Sequence, residues 1–383
     1  MSSRDLRIDC LRGLAMVCVI VNHSRMSSVL SWFSYERFWV VTAAEVFVIL
    51  SGIVLGMVYG RRLLRDGWRT VASGLGRRVL LLYGALTGVT VSLIVMSMLG
   101  INVSSMARNG DRLTAWLASP ASMDVAAWRD LLMMRTGPWA FEIIAMYVWL
   151  VAAAVPCLLA LRYVGWQPVL LVSWIAYAFN RVSPHRLTGA EFETVFPLLA
   201  WQLLFVHGIT IGYHRERFGA WIAKRANALL VAAGVATGIF LTFALCNPWV
   251  DGPSWLRVHL VSPDTFSQIY VRYFGLSELG VGRLANLAVA LPVGYVLLGR
   301  FATLVRPIEK LLATLGQRSL GAFVLHVYAL VLFAHLPRTG NPFANALLQM
   351  LMVVGIAGVL RVTKRRRVQT ATPSVDMQPA LAA

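Results

Sequence analysis

Long apolar blocks alternate with short polar connections along almost the whole chain. Each block approaches the roughly 20 residues that a helix needs to cross the hydrocarbon core of a bilayer, and polar residues, proline or glycine bound it. The pattern predicts an all-α polytopic bundle of about ten transmembrane helices, whose even number returns both termini to one side. The predicted spans are residues 10–31, 38–60, 79–100, 138–160, 166–181, 195–213, 226–246, 281–300, 319–337 and 341–361.

Composition agrees with this pattern. Of the 383 residues 58% are hydrophobic and 14% are charged, against about 45–50% and about 25% in soluble domains. We predict one membrane domain, residues 1–367, followed by a polar, Pro- and Ala-rich tail, residues 368–383, that is disordered. The four cysteines stand alone in apolar runs without metal-ligand spacing, so we predict no metal site.

The net charge of +18 is unevenly placed. With the spans above, 23 of the 35 Lys and Arg residues but only 6 of the 17 Asp and Glu residues fall on the side of the N-terminus. Basic loops remain in the cytoplasm during insertion, so both termini are predicted to be cytoplasmic. Because the basic residues follow membrane topology, we predict a bilayer and not nucleic acid as the partner.

The first span contains ionisable residues that are costly in a membrane unless they are paired or hydrated. The run RIDCLRGLAMVCVIVNH, residues 7–23, includes Asp9, Arg12 and His23. Arg12 and His23 are eleven residues apart, so at 100° per residue their side chains point within roughly 20° of each other. Both therefore lie on one face of one helix.

The second span contains Glu45 in the run AEVFVILSG, residues 44–52. Glu45 and His23 each lie roughly 10 Å inside the outer end of a span, so antiparallel neighbouring helices would bring them level. A carboxylate on one imidazole nitrogen leaves the other free to accept a proton. We predict a general base formed by His23 and Glu45 with Asn22 beside it. The alternative is a structural ion-pair network around Glu45, with His23 as a core residue.

Later spans also carry polar residues at membrane depth. Such residues either contact a substrate or hold neighbouring helices together, and the sequence leaves both open. The candidates for substrate binding are Glu142 in the fourth span, Trp201, Gln202 and His207 in the sixth, and His326 in the ninth.

Arginines flank the cytoplasmic connection between the second and third spans. Arg62 faces the pair Arg77 and Arg78 across it. They could be simple positive-inside anchors. Converging guanidinium groups beside a polar core are also what a phosphate-bearing nucleotide donor requires, and we include Arg12 among these candidates.

These motifs resemble those of the OpgC family of membrane acyltransferases, within the broader acyltransferase-3-like group. The resemblance extends over nearly the whole chain and is most specific in its first two runs. It is carried, in order, by RIDCLRGLAMVCVIVNH, AEVFVILSGIVLGMVYGRR, FEIIAMY, FPLLAWQLLFVHG and LGQRSLGAFVLH.

The resemblance implies transfer of an acyl group, typically succinyl from succinyl-coenzyme A, to hydroxyls of a periplasmic glucan or another envelope glycan. It also implies a location in the bacterial inner membrane, with acyl-CoA as a donor substrate and no permanently bound cofactor. His23 corresponds to the proposed catalytic base, and Arg12 and the arginines after the second span to residues that handle the donor. Two positions depart from the family pattern. Related acyltransferase-3 proteins often carry an Arg-x-x-Arg pattern at the third span, whereas here Gly74 precedes the adjacent pair Arg77 and Arg78. Glu142 stands where an aspartate is expected.

Two other classes of protein fit the same intramembrane residues. A secondary transporter or flippase for a glycan or small molecule would use them to carry protons or substrate, and would not consume acyl-CoA. A purely structural membrane component would tolerate Gln in place of Glu45 and His23. A homo-oligomer is compatible with each of these functions.

Overall fold

The computed structural model describes residues 5–34, 36–250, 252–336 and 339–371. Helices account for 79% of it and the described residues form no strand, which confirms the predicted all-α class. Of the predicted disordered tail, residues 368–371 continue the last helix and residues 372–383 lie outside the described part.

Fifteen α-helices form the described chain. In chain order they are α1 (Leu6–His23), α2 (Ser31–Ser34), α3 (Ala43–Met98), α4 (Arg112–Ala118), α5 (Val125–Leu132), α6 (Glu142–Tyr163), α7 (Trp166–Val182), α8 (Leu198–Tyr213), α9 (Arg215–Lys224), α10 (Ala226–Leu245), α11 (Pro263–Tyr273), α12 (Val281–Arg300), α13 (Ala302–Gln317), α14 (Ser319–Ala334) and α15 (Pro342–Ala371). Short 3-10 helices lie in the connections, at Ser104–Met106, Pro120–Ser122, Trp139–Phe141, Glu191–Thr194 and Ser254–Leu256.

Several helices are long and apolar enough to cross a membrane, so the chain is a multi-pass membrane protein. Among the described residues there are five such helices, or six when α13 and α14, bent by 93° at their junction, count as one broken span. The five are Ala43–Met98, Trp139–Tyr163, Ala226–Leu245, Val281–Arg300 and Pro342–Thr363. The count of about ten spans and the cytoplasmic termini remain predictions.

The two arms of helix α3 contain most of two predicted spans, residues 43–60 of 38–60 and residues 79–98 of 79–100. The helix is interrupted at Gly67, whose φ of 77° and ψ of 173° are not helical. Tyr59 and Gly74 would be about 22 Å apart along a straight helix at 1.5 Å per residue. A Cβ atom on Gly74 would nevertheless lie 3.1 Å from the Tyr59 ring. The two arms therefore fold back on each other at Gly67, where glycine tolerates a positive φ.

Glycines allow α3 and α8 to cross at backbone contact. A Cβ atom on Gly208 would lie 2.4 Å from the carbonyl oxygen of Ile49, and one on Gly52 would lie 2.4 Å from that of Phe205. Gly212 is equally close, with the carbonyl oxygen of Ile53 2.1 Å from its would-be Cβ. Small residues four apart are the usual means by which membrane helices approach closely.

A second glycine contact fixes α1 against α13. A Cβ atom on Gly13 would lie 1.9 Å from the Leu312 carbonyl oxygen, and one on Gly316 would lie 1.9 Å from that of Asp9. This close approach places the first turns of α1 beside the junction of α13 and α14. The other end of α1, at His23, then lies beside α14.

Candidate functional site

His23 and His326 form the centre of the candidate site. His23 is the last residue of α1 and is half-buried, whereas His326 lies in α14 and is fully buried. The Nδ1 atom of His23 is 3.2 Å from the Nε2 atom of His326. The Nδ1 atom of His326 is in turn 2.5 Å from the carbonyl oxygen of Phe323. The structure thus brings together two residues that the sequence analysis placed in separate roles.

An aromatic side chain and two arginines surround His23. The Trp139 ring centroid is 4.9 Å from that of His23, and the Arg25 guanidinium carbon lies 4.4 Å from the Trp139 ring centroid. Arg25 and Arg108 both act electrostatically on His23. Arg25 is exposed, so its stacking on Trp139 holds a positive charge at the rim of the site.

A cavity of about 390 Å³ opens beside His23. Its size lies within the range of about 300–1,000 Å³ that is usual for small-molecule sites. The polar and aromatic residues that line it are Asn22, His23, Arg25, Ser27, Ser31 and Trp249. A neighbouring cavity of about 290 Å³ shares Arg25 and Ser27 with it and is also lined by Trp32, Thr339 and Asn345. Aromatic faces and short polar side chains can bind a polyhydroxylated molecule by stacking and hydrogen bonding.

Asn22 connects the cavity to the segment that follows α1. Its Oδ1 atom accepts a hydrogen bond of 2.6 Å from the Ser34 hydroxyl, and its Nδ2 atom donates to the Ser34 carbonyl oxygen at 3.4 Å. The 3.4 Å bond is weak, so the N–H groups of the Asn22 amide can still donate hydrogen bonds to a ligand. Asn22 and His23 therefore line the same cavity.

The predicted contact between His23 and Glu45 is not formed in the described structure. Glu45 accepts a hydrogen bond of 2.6 Å from Arg283 of α12, and both side chains are fully buried. Its second oxygen accepts from the backbone and the hydroxyl of Thr42 and so caps α3. The difference has a physical reason. A cation stabilises a buried carboxylate more than a neutral imidazole does, and α12 supplies the cation Arg283.

Arg283 also binds Glu36, in the connection before α3. The Nη2 atom of Arg283 is 2.5 Å from a Glu36 carboxylate oxygen, and the Tyr270 hydroxyl donates to the same carboxylate at 3.0 Å. Burial raises the pKa of the Glu36 carboxyl, and the positive charge of Arg283 opposes that rise. The Arg283 guanidinium thus connects α12 to two carboxylates, Glu36 before the start of α3 and Glu45 after it. This arrangement is the structural ion-pair network that was the alternative for Glu45.

Glu142 lies at the start of α6, directly after the 3-10 helix that carries Trp139. It is buried, and its Oε1 atom accepts a hydrogen bond of 2.8 Å from Arg108. Its Oε2 atom is buried without a hydrogen-bond partner among the described residues. An unsatisfied buried carboxylate oxygen is costly, so a ligand hydroxyl at this oxygen would be stabilised.

Arg12 contacts the junction of α13 and α14. It is buried, and its Nη2 atom donates a hydrogen bond of 2.6 Å to the Ser319 hydroxyl. In the preceding turn of α1, Asp9 accepts a hydrogen bond of 3.1 Å from Gln317. Arg12 lies about 16 Å along α1 from His23, at 1.5 Å per residue. The two lie near opposite ends of α1, and both contact α14, Arg12 at Ser319 and His23 at His326.

The other predicted donor-binding arginines lie on the two arms of α3. Arg62 is exposed beside the Tyr59 ring, whose centroid is 5.4 Å from its guanidinium carbon. Arg77 is exposed and Arg78 is half-buried. Both Arg12 and Arg78 act electrostatically on Tyr147 of α6. The fold-back at Gly67 thus places Arg62 and the Arg77–Arg78 pair near one end of the bundle.

The remaining candidates lie on α8. The fully buried Trp201 donates from Nε1 to the Ser277 carbonyl oxygen at 3.0 Å, and Gln202 forms hydrogen bonds of 2.7 and 2.8 Å with Ser173 of α7. The ring of His207 packs edge-on against Trp174, also in α7. These contacts link helices, and none of the described ones reaches His23. A substrate role for the three remains a prediction.

Sequence reasoning missed Arg25, Arg108, Trp139 and Arg283. Arg283 had a signal, because it is an ionisable residue inside a predicted span. Arg25 lies inside the predicted span 10–31 and had the same signal, whereas Trp139 had only the weak signal of an aromatic residue at a membrane interface. Arg108 lies in a connection and had none.

One of three comparisons with known proteins places this chain in a family. The chain has no significant match to a curated protein or to a solved structure. A family model described as OpgC protein matches residues 4–369, which is essentially the whole chain. The match includes α1, α14 and every described residue of the candidate site, and the chain belongs to the OpgC family.

Proposed function

We propose that the protein is an O-acyltransferase of the bacterial inner membrane. In this proposal it moves an acyl group, succinyl, from cytoplasmic acyl-CoA to a hydroxyl of a periplasmic glucan or another envelope glycan. Family membership suggests a membrane acyltransferase-like role in glucan modification. The observation that carries the proposal is that His23, held by His326, lines a cavity with polar and aromatic walls.

The acceptor enters this cavity from the outer face. A sugar ring stacks on Trp249 in the cavity wall or on Trp139, which packs against His23. Asn22, Ser27 and Ser31 bind its hydroxyls. The unsatisfied Oε2 atom of Glu142 supplies a further acceptor nearby.

The donor enters from the cytoplasmic face. Arg62, Arg77 and Arg78 bind the phosphates of coenzyme A, because guanidinium groups form paired, charge-assisted hydrogen bonds with phosphate oxygens. The thioester arm then follows α1 from Arg12 toward His23. The contacts of both residues with α14 support this path.

The chemistry is a nucleophilic displacement at the thioester carbonyl. The acceptor oxygen attacks the carbonyl carbon while His23 removes the hydroxyl proton. The amide of Asn22 donates to the developing oxyanion. The C–S bond then breaks, and the thiolate of coenzyme A takes the proton from His23. A route through an acyl-His23 intermediate uses the same residues and remains an alternative.

Acyl transfer by the full chain in lipid nanodiscs tests this function. Radiolabelled succinyl-CoA and acetyl-CoA are offered with linear and cyclic glucans, to wild type, His23→Ala and the control His335→Ala. His335 directly follows α14, and among the described residues its ring contacts the Val331 carbonyl oxygen one turn earlier. We expect labelled glycan from wild type and the control, and none from His23→Ala. In a parallel assay in sealed proteoliposomes, gradient-driven glycan flux without acyl-CoA consumption would instead identify a transporter.

A further inference from the structure

The second histidine of the candidate site has an unusual partner arrangement. His326 is fully buried, and its two ring nitrogens face a backbone carbonyl and another histidine. A carbonyl oxygen can only accept a hydrogen bond. The 2.5 Å contact with Phe323 therefore assigns the ring proton of neutral His326 to Nδ1.

That assignment determines the tautomer of His23 as well. With its proton on Nδ1, His326 presents a bare Nε2 lone pair to the Nδ1 atom of His23 at 3.2 Å. Two bare nitrogens at this distance would repel each other, so the shared proton must lie on Nδ1 of His23. The Nε2 atom of His23 is then the nitrogen that can accept a proton.

We propose that His326 is a positioning residue. The Phe323 carbonyl holds the proton of His326 on Nδ1, so Nε2 of His326 accepts a hydrogen bond from Nδ1 of His23. Nε2 of His23 then stays available as the base. His326 takes the place of the carboxylate that orients histidine in many hydrolytic sites. Glu45, the carboxylate predicted for this role, is instead paired with Arg283. This inference rests on the proposed acyl transfer.

The proton balance of the reaction leaves His326 unchanged. The acceptor O–H bond breaks and its proton moves to Nε2 of His23, while an O–C bond forms to the acyl carbon. The C–S bond breaks, and the same proton passes from Nε2 to the thiolate sulfur. The products are an ester and a free thiol, and His326 keeps its proton on Nδ1 throughout.

Kinetics of three variants test the positioning role. His326→Ala removes the hydrogen-bond acceptor, and His326→Gln can offer an amide oxygen in its place. His335→Gln, at the residue that follows α14, is the control. Because a correctly poised base contributes about 10²–10⁴-fold, we expect His326→Ala to lower kcat about 100-fold with little change in either KM. We expect His326→Gln to recover part of this loss. Activity of His326→Ala within about threefold of wild type would overturn the proposal.

A spectroscopic measurement separates this proposal from the proposed function. Ring ¹⁵N shifts of histidine-labelled protein, with His23 assigned by its loss in His23→Gln, report which nitrogen carries the proton. We expect protonated Nδ1 at His23 in wild type and a mixture of tautomers in His326→Ala. Protonated Nε2 in wild type would overturn the positioning role even if acyl transfer occurs. The expected tautomer without any acyl transfer would overturn the proposed function instead.

Discussion

Arg283 and Glu45 form a fully buried ion pair between α12 and α3, with 2.6 Å between the guanidinium nitrogen and the carboxylate oxygen. The pair explains why a glutamate at the depth of His23 does not contact it. The charge of Glu45 is neutralised by a helix that lies more than 200 residues later in the chain.

We predict that Arg283→Met mainly lowers stability. Removal of one partner leaves buried carboxylates without a counter-charge, which costs about 3–5 kcal/mol in comparable pairs. Thermal unfolding of purified protein in detergent measures the effect. The control is Glu278→Gln, which breaks the exposed pair with Arg181 and should cost at most about 1 kcal/mol. Equal melting temperatures for both variants would contradict this interpretation.

Glu45→Gln distinguishes the structural role of Glu45 from the catalytic one. If Glu45 stabilises α12 and caps α3, the variant loses thermal stability while each folded molecule keeps most of its turnover. A variant of normal stability whose kcat falls about 100-fold would show that Glu45 orients the base. The measurement is kcat per active molecule, with folded protein quantified by size-exclusion chromatography.

Gly208→Ala should destabilise the α3–α8 crossing. The added methyl would lie 2.4 Å from the Ile49 carbonyl oxygen, so the helices must separate, at about 1–3 kcal/mol for overpacking. Gly234→Ala in α10 is the matched control, because nothing lies within 4 Å of its Cβ position. There alanine should be neutral or stabilising, since it favours helix over glycine. Thermal melting of the two variants gives the comparison, and a neutral Gly208→Ala would refute the tight crossing.

Arg78→Gln should weaken donor binding. Loss of one hydrogen bond to a charged group costs about 1.5–3 kcal/mol, so we expect KM for succinyl-CoA to rise at least about tenfold. KM for the glucan should stay the same. Arg69→Gln, an exposed arginine on the same helix, controls for overall positive charge. An equal rise in both variants would indicate general electrostatic attraction in place of a phosphate contact.

Asn22→Ala should lower kcat without abolishing acceptor binding. Removal of one oxyanion donor costs about 10²–10³-fold in kcat in well-characterised enzymes. Ser34→Ala removes a hydrogen bond that anchors Asn22 but leaves the amide in place, so its effect should be much smaller. Initial rates at saturating succinyl-CoA separate the two. Similar losses in both variants would assign Asn22 a structural role only.

The sequence by itself determined the features that depend on local periodicity. Apolar blocks predicted the all-α class, although not α13, which lies between two predicted spans. The eleven-residue spacing predicted that Arg12 and His23 share a face of α1, because 3.6 residues per turn fixes the direction of each side chain along any one helix. The sequence also predicts that the chain reverses direction within α3, since polar sequence around Gly67 separates two apolar blocks.

Only the tertiary structure decided which helices are neighbours. His23 contacts His326, which is 303 residues away, and Glu45 contacts Arg283, which is 238 residues away. Periodicity gives the depth and direction of a side chain but carries no information about the helix opposite. That choice depends on close backbone approaches such as Gly13 against Leu312, and on the need of every buried charge for a partner.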